Sequence, residues 1–216
     1  MSDPELRSQL IECGKLFHSR GWSVGTSSNY SAVRSFDPLE ITITVSGKDK
    51  GRLGEDDFVV VDNGGTPLAG ESGKSSAETM LHVKAVEMFG AGSVLHTHSV
   101  WATLLSDLHH PDGGFEISGY EMLKGLEGIR THESSVWVPI FENTQDIPAL
   151  ANEFEQFMAD NPDRTCFGYL IRRHGLYTWG KDVFAARRHI EIFEFLFEVE
   201  ARRMMMAAAN SSVRLA

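Results

Sequence analysis

The sequence has little cysteine and no long apolar run. Its two cysteines, Cys13 and Cys166, lie far apart, which excludes a disulfide framework and a close-spaced cysteine metal site. This usage is typical of a reducing cytoplasm. No apolar stretch approaches the length of a membrane span, and the polar, acidic N-terminus does not resemble a signal peptide. We therefore expect a cytoplasmic protein that does not engage a membrane.

Positive charge is also scarce, since the formal net charge is -10 at pH 7. A chain this acidic is poorly suited to non-specific binding of nucleic acid or of an anionic membrane surface. A phosphorylated small molecule is still compatible with the composition, because one site can be locally basic. Four cations, Lys48, Lys50, Arg52 and Lys74, lie within residues 48–74 and can make such a site.

Hydrophobic periodicity predicts helices and strands over much of the chain. Helices are expected at 2–21, 75–89, 146–159 and 182–209. Strands are expected at 41–45, 58–61, 93–97, 167–171 and 176–179. The strands come partly as neighbours and partly between helices. We therefore expect a single α/β domain over 1–216, with a mixed sheet layered with helices.

The run His96-Thr97-His98 is the most informative for chemistry. On a β-strand, residues i and i+2 project from the same face, so that both imidazoles can converge on one cation. The best third ligand is His174, which lies in a predicted hairpin turn before Gly175, where glycine allows a sharp turn. Three neutral imidazoles hold a divalent metal and leave a position for substrate. On these residues alone, simple packing of two strand histidines is equally compatible.

Three loops rich in glycine, serine and lysine could hold an anion. Free backbone N–H groups and hydroxyls, above all before a helix, favour a phosphate. The candidate residues are Thr26, Ser27, Ser28, Asn29, Ser46, Gly47, Lys48, Ser75 and Ser76. Taken singly, each loop is also compatible with an ordinary turn.

Two glutamates are candidates for proton transfer. Glu78 follows Ser75 by three positions, which is the spacing of a capping box and predicts a structural role at a helix start. Its functional interpretation is a carboxylate near the metal, acting as a base. Glu121 lies in the run GYEMLKG, in a loop-to-helix context where acids are usually solvated.

Together these motifs resemble the class II aldolase/adducin family. The segments GTSSNYS, SGKDKG, SSAE, His96-x-His98 and RRHG occur in the family's order over nearly the whole chain. The resemblance implies a class II aldolase-like fold with a mostly antiparallel sheet. It also implies one Zn²⁺ per subunit, held by His96, His98 and His174, a small sugar-phosphate substrate and a homotetramer. One departure from the family is Ser28, which precedes Asn29 where a glycine is usual.

Within the family, KSSAETMLH, VLHTHS, GYEMLKG, VPIFENT and IRRHGLYTWG most resemble the dehydratases of methionine salvage, which are lyases. In those enzymes a glutamate in the region of Glu121 is the acid/base. The sugar-phosphate aldolases and 4-epimerases instead use the position of Glu78. The resemblance implies metal-dependent dehydration of a sugar phosphate. Aldol cleavage or epimerisation through Glu78 is the first alternative, and a non-catalytic, adducin-like interaction module is the second.

Overall fold

The computed structural model describes residues 2–213, and side chains are described for residues 2–210. The α-helices are α1 (Asp3–Ser19), α2 (Thr79–Phe89), α3 (Val100–Leu108), α4 (Ile147–Asp160) and α5 (Val183–Val213). The strands are β1 (Asn29–Phe36), β2 (Leu39–Thr44), β3 (Phe58–Val61), β4 (Ser93–Thr97), β5 (Gly114–Ser118), β6 (Ser135–Phe141), β7 (Gly168–Ile171) and β8 (Gly175–Gly180). No helix of the described chain is both long and apolar enough to cross a membrane.

The eight strands form one sheet in the order β3-β2-β1-β4-β8-β7-β6-β5. Among the described strands, β6 and β7 are the parallel neighbours and the other neighbouring pairs are antiparallel. The expected mixed α/β fold with a mostly antiparallel sheet is therefore confirmed. Strand β4, which carries the His-x-His run, lies near the middle of the sheet.

Helices cover both faces of this sheet. On one face, apolar side chains of α1, α3 and α5 form one core, and on the other, α2 and α4 form a second. Strand β4 contributes to both cores because its side chains alternate: Leu95 packs into the first and Val94 into the second. The alternation places His96 on the same face as Val94 and places Thr97 on the side of α5.

The structure corrects one predicted helix and adds elements that periodicity did not indicate. Helix α2 begins at Thr79 rather than Ser75. The reason is that Ser75 forms an isolated antiparallel bridge with Val45, and Ser46 N–H donates to the carbonyl of Lys74 at 2.9 Å. The preceding segment is thus held in an extended conformation against the end of β2. Among the α-helices and strands of the described residues, β1, α3, β5 and β6 were not predicted from the sequence.

Candidate metal centre

The cluster begins at the end of the central strand β4. His96 is the penultimate residue of β4 and its side chain is fully buried. Its Nδ1 lies 2.9 Å from the carbonyl oxygen of Leu176 on β8, which can only accept a hydrogen bond. Nδ1 therefore carries the proton, and its hydrogen bond fixes the orientation of the ring. The lone pair of Nε2 is then available to bind a metal.

The other two histidines lie on loops next to the strand end. His98 follows β4 by one residue, and its Nε2 lies 2.6 Å from Nε2 of His96. His174 lies in the turn between β7 and β8, with its ring centroid 5.0 Å from that of His96 and 4.5 Å from that of His98. The tertiary structure therefore brings together the three histidines that the sequence indicated.

The turn at His174 has a different cause from the expected one. The residue with a left-handed backbone is Arg173, at φ 53°, not Gly175. Gly175 is needed for close strand packing, because a Cβ there would lie 2.0 Å from the carbonyl oxygen of Thr97. The glycine lets β8 approach β4 closely, which places His174 opposite the end of the histidine strand.

The three side chains fit a divalent cation. One ring nitrogen from each lies within 4.8 Å of the others. Nδ1 of His174 is buried and has no hydrogen-bond partner within the described part of the chain. Burial lowers the pKa of His96 well below its usual value and that of His98 to about 4, and it also lowers the pKa of His174. The imidazoles are therefore neutral at pH 7, the state in which they can bind a metal.

Glu78 lies beside the histidines, and its predicted capping box is wrong. It is the residue before α2, and its side chain makes no capping hydrogen bond. Its Oε2 accepts hydrogen bonds from Asn29 Nδ2 and from the hydroxyl of Tyr177, both at 2.7 Å. Its Oε1 is 3.4 Å from Nε2 of His174. The carboxylate is thus fixed at the edge of the cluster by two neutral donors.

A buried polar chain continues from this carboxylate into the protein. Asn29 Oδ1 makes a short hydrogen bond with Nε2 of His82, and Nδ1 of His82 lies 2.7 Å from the hydroxyl of Ser31. Burial lowers the pKa of His82 to about 3, so its ring is neutral. With Nε2 donating to the asparagine oxygen, Nδ1 accepts from Ser31. This chain orients Asn29 so that its amide NH₂ faces Glu78.

Sequence reasoning missed His82 and Tyr177 as parts of the site. His82 follows Glu78 by four positions, so that one turn of α2 brings the two to the same side. Tyr177 aligns with His96 in the β4–β8 register and stacks on its ring at a centroid distance of 4.0 Å. The helical spacing was a usable signal for His82, whereas the partner of His96 depends on strand order.

A cavity of about 210 Å³ opens beside the histidines. Ser76 ties its loops together, because its Oγ accepts from Asn29 Nδ2 and from the N–H of Glu78, both at 3.2 Å. The lining residues are Thr26, Ser27, Ser28, Asn29, Thr44, Val45, Ser46, Gly47, Ser76, Glu78, His98 and His174. Seven of the nine candidate phosphate residues are therefore brought to one cavity. Lys48 and Ser75 do not line it.

Glu121 lies far from this cluster within the chain. It begins a short 3₁₀ helix at Glu121–Gly125, its side chain is 70% exposed, and Lys124 Nζ donates to it at 2.6 Å. Glu121 follows β5, whose last residue pairs with the first residue of β6. His174 follows β7, whose last residue pairs with the last residue of β6, at the opposite end of the sheet. The two ends of the seven-residue strand β6 lie roughly 20 Å apart. In addition, β5 is four strands away from β4 in the sheet.

Comparisons with known proteins agree with this geometry. The family model described as "Class II Aldolase and Adducin N-terminal domain" matches residues 8–201. A methylthioribulose-1-phosphate dehydratase of Marinobacter nauticus is 49% identical over 196 residues, covering 90% of this chain and 92% of that protein. The enzyme of the same name from Pseudomonas fluorescens is 50% identical over 200 residues, covering 92% and 93%.

Solved structures show the same fold at lower identity. An L-fuculose 1-phosphate aldolase aligns with a TM-score of 0.75 and 20% identity, covering 94% of this chain and 87% of that one. The L-fuculose-1-phosphate aldolase of Thermus thermophilus aligns with a TM-score of 0.72 and 19% identity, covering 95% and 98%. The family model spans both the cluster and the cavity loops, and this chain belongs to the class II aldolase and adducin N-terminal domain family.

Proposed function

We propose that this chain is a hydro-lyase that removes water from 5-methylthioribulose 1-phosphate in methionine salvage. The product is 2,3-diketo-5-methylthiopentyl 1-phosphate. The observation that carries the proposal is the meeting of three neutral imidazoles and Glu78 beside a cavity lined with hydroxyls. The relatives at 49% and 50% identity are named for this dehydration. A non-catalytic interaction module would have no need of such a cluster.

The proposed cofactor is one Zn²⁺ per subunit, with His96, His98 and His174 as its ligands. Imidazole nitrogen suits zinc, and three protein ligands leave a position for substrate. When bound, such a cation acts as a Lewis acid that stabilises negative charge on the substrate's C2 and C3 oxygens. The chain itself contributes the neutral state and fixed orientation of the rings.

The reaction needs a base at C3 and an acid at C4. The C3 proton is acidic because it lies next to the C2 ketone, and its removal gives an enediolate. The enediolate expels the C4 hydroxyl as water once an acid protonates that oxygen, and the enol tautomerises to the diketone. We assign the removal of the C3 proton to Glu78, whose carboxylate borders the cavity. We assign the protonation of the C4 oxygen to Glu121.

Because Glu121 lies at the far end of its own sheet, we propose that a neighbouring copy delivers it, in a homotetramer. An exposed apolar stripe on α3 supports self-association: Val100, Leu104 and Leu108 are 64%, 47% and 57% exposed at successive four-residue spacings. Helix α3 starts immediately after His98 and Ser99, so that a subunit packed on this stripe lies near the cavity. We place the enzyme in the cytoplasm, where both thiols stay reduced.

The substrate phosphate is assigned to the cavity loops. The proposed contacts are the seven predicted residues that line the cavity: Thr26, Ser27, Ser28, Asn29, Ser46, Gly47 and Ser76. Backbone N–H groups and hydroxyls can each donate to phosphate oxygens, and the segment that precedes α2 adds the favourable end of a helix dipole. Ser28 has a left-handed backbone at φ 72° and a buried Oγ without a partner in the described chain.

The direct test is turnover of 5-methylthioribulose 1-phosphate by the purified protein, followed by formation of the diketone. A chelator should abolish turnover, and restored divalent cation should recover it. Metal analysis of the same sample checks one ion per subunit. If the metal-loaded protein left the substrate intact, the proposed activity would be wrong.

A second candidate is retro-aldol cleavage or 4-epimerisation of a sugar phosphate. The observation that favours it is the position of Glu78 at the cluster, since the resemblance assigns the base of those enzymes to this position. Such a reaction breaks or remakes a bond at C4 without loss of water. Product analysis separates the candidates, because cleavage gives two smaller carbonyl compounds whereas dehydration gives one diketone.

A further inference from the structure

Lys50 is a buried cation behind the cavity loops. It begins a short 3₁₀ helix at Lys50–Arg52, and the residue is only 1% exposed. Its Nζ donates to the carbonyl of Lys48 at 2.7 Å and lies 3.5 Å from the carbonyl of Thr26. The ammonium therefore joins the loop that carries Gly47 to the loop that carries Thr26, and both loops line the cavity.

The charge of this ammonium is not neutralised by an ion pair. The described residues offer it no carboxylate partner within salt-bridge distance, and its two neighbours are carbonyl oxygens. Burial lowers the pKa of Lys50 to about 8, against the opposite effect of Asp49 and Asp57. A buried charge without a counter-ion is costly, so a protein that retains one usually has an anion to place nearby.

The neighbouring Lys48 is in the contrary situation. Its Nζ is 2.7 Å from Oδ1 of Asp57, its side chain is 47% exposed, and it does not line the cavity. Its charge is thus already neutralised at the surface. The sequence indicated Lys48 as the phosphate-binding lysine of the SGKDKG segment. In the structure Lys48 does not line the cavity, and Lys50 is the buried lysine.

We propose that Lys50, rather than Lys48, is the positioning residue that makes the cavity loops a phosphate site. It holds the Thr26 and Gly47 loops at a fixed separation, so that their hydroxyls and N–H groups converge, and its charge lies behind them. The dianionic phosphate then supplies the missing counter-charge. This inference rests on the proposed function for the phosphorylated substrate, but it can be tested without turnover.

The experiment compares metal-loaded wild type with Lys50→Met, Lys48→Met and Arg52→Met. Arg52 is the matched control, because it lies in the same short helix with an 88% exposed side chain. For each protein, inorganic phosphate is titrated and the rise in Tm is measured, with chloride at equal ionic strength as reference. The same proteins are then assayed for KM and kcat with the sugar phosphate.

Lys50→Met should weaken phosphate binding by about 10–100-fold, because a nearby positive charge and the tie between the two loops are both lost. KM should rise by a similar factor, with a much smaller change in kcat and unchanged metal content. Lys48→Met and Arg52→Met should keep the phosphate-induced rise in Tm. Lys50→Arg, which keeps the charge, should recover part of that rise.

Three results would overturn the inference, one for Lys50→Met and two for the other proteins. One is a Lys50→Met protein with a lower Tm but an undiminished response to phosphate, which would show a merely structural lysine. The others are loss of the response in Lys48→Met and its absence in wild type. If wild type failed to dehydrate the substrate yet bound phosphate through Lys50, the proposed function would fail while the inference held.

Discussion

The two ends of the central sheet carry the same residue types in opposite environments. At one end, His96 is fully buried and Glu78 is fixed by Tyr177 and Asn29. At the other, Glu121 is exposed and paired with Lys124, 3.8 Å from His132. Burial lowers the pKa of His96, whereas a surface hydrogen bond from Lys124 lowers that of Glu121. Histidine and carboxylate acquire unusual chemistry only where the fold removes several polar groups from water together.

The largest expected effect comes from removing a histidine at the buried end of the sheet. His96→Ala should strip the metal and reduce kcat/KM by more than about 10³-fold, because several kcal/mol of charge stabilisation is lost. The fold should survive, since the variant removes one ring and leaves the backbone pairing of β4 with β1 and β8 intact. His132→Ala at the exposed end is the control and should keep both metal and activity. Full metal occupancy in His96→Ala, measured by elemental analysis, would contradict the ligand assignment.

The next largest effect concerns the carboxylates of the two ends. Glu121→Gln should reduce kcat by about 10²–10⁴-fold, the range for a lost general acid, with metal content unchanged. Glu78→Gln should lose less kcat, because the adjacent ketone already acidifies the C3 proton, whereas the C4 hydroxyl cannot leave without an acid. Weaker substrate binding or lower stability should accompany this smaller loss. A dead Glu78→Gln enzyme beside a nearly normal Glu121→Gln enzyme would reverse the assignment and favour the aldolase-type mechanism.

Mixing subunits tests whether the two ends meet between copies. If Glu121 acts on a neighbouring subunit's cluster, co-assembled Glu121→Gln and His96→Ala chains contain some sites with both residues intact. With random equal mixing in a ring of subunits, about one quarter of the sites should be active. Each variant alone should be inactive. Mixed oligomers without recovered activity would contradict delivery from a neighbour.

A third glutamate, Glu194, extends the contrast between buried and exposed groups to folding stability. Glu194 on α5 is 1% exposed, and its Oε1 accepts from Thr97 Oγ1 at 3.2 Å behind the histidine strand. Burial raises its pKa to about 7, above the ordinary carboxyl value. The folded state therefore retains a proton that the unfolded chain releases, and folding stability falls as pH rises from about 4.5 to about 7.

Glu194→Gln should remove this loss. At pH 5 its unfolding free energy should be close to that of wild type, and at pH 8 it should exceed wild type by an amount of order 3 kcal/mol. Urea unfolding at both pH values measures this. Glu5→Gln is the matched control, because hydrogen bonds from Ser2 lower the pKa of Glu5 and keep its exposed carboxylate ionised at both pH values. If the unfolding free energies of wild type and Glu194→Gln changed with pH in parallel, the raised pKa of Glu194 would be contradicted.

The smallest expected effect is at Ser28. Its φ of 72° is strained for a residue with a Cβ, and Oγ lacks a partner in the described chain. Ser28→Gly should therefore raise the unfolding free energy by about 1 kcal/mol, as measured by urea unfolding. The neighbouring Ser27→Gly, whose residue has no positive φ, should lower it. A destabilised Ser28→Gly protein would show that its hydroxyl contributes more than the backbone strain costs.

Several features could be predicted from the sequence because they depend on local spacing. Strands β3 and β4 have the expected bounds, and α4 begins one residue after the start of its predicted segment. Gly90 directly follows the predicted end of α2 and has a left-handed backbone, φ 61°, as is common for a glycine that ends a helix. Periodicity of this kind acts over a few residues, so it needs no knowledge of the rest of the fold.

Local spacing failed where a distant segment competed with it. Ser75 and Glu78 have the spacing of a capping box, but Val45 holds Ser75 in an extended bridge and Tyr177 and Asn29 hold Glu78. A strand edge 30 residues away thereby overrode the capping preference. The same competition explains why Lys48 does not serve the cavity: its ammonium forms an ion pair with Asp57.

The sequence by itself determined the residue types, the His-x-His spacing on a strand, the loops with free donors and most of the secondary structure. Tertiary structure decided which of these groups meet. Strand order placed β8 beside β4, so that His174 and Tyr177 reached His96, and it placed Glu121 four strands away at the opposite end. Packing alone also decided which lysine is buried. The physical reason is that pKa, metal affinity and ion pairing depend on distances through space and on removal from water, and these depend on contacts between distant segments.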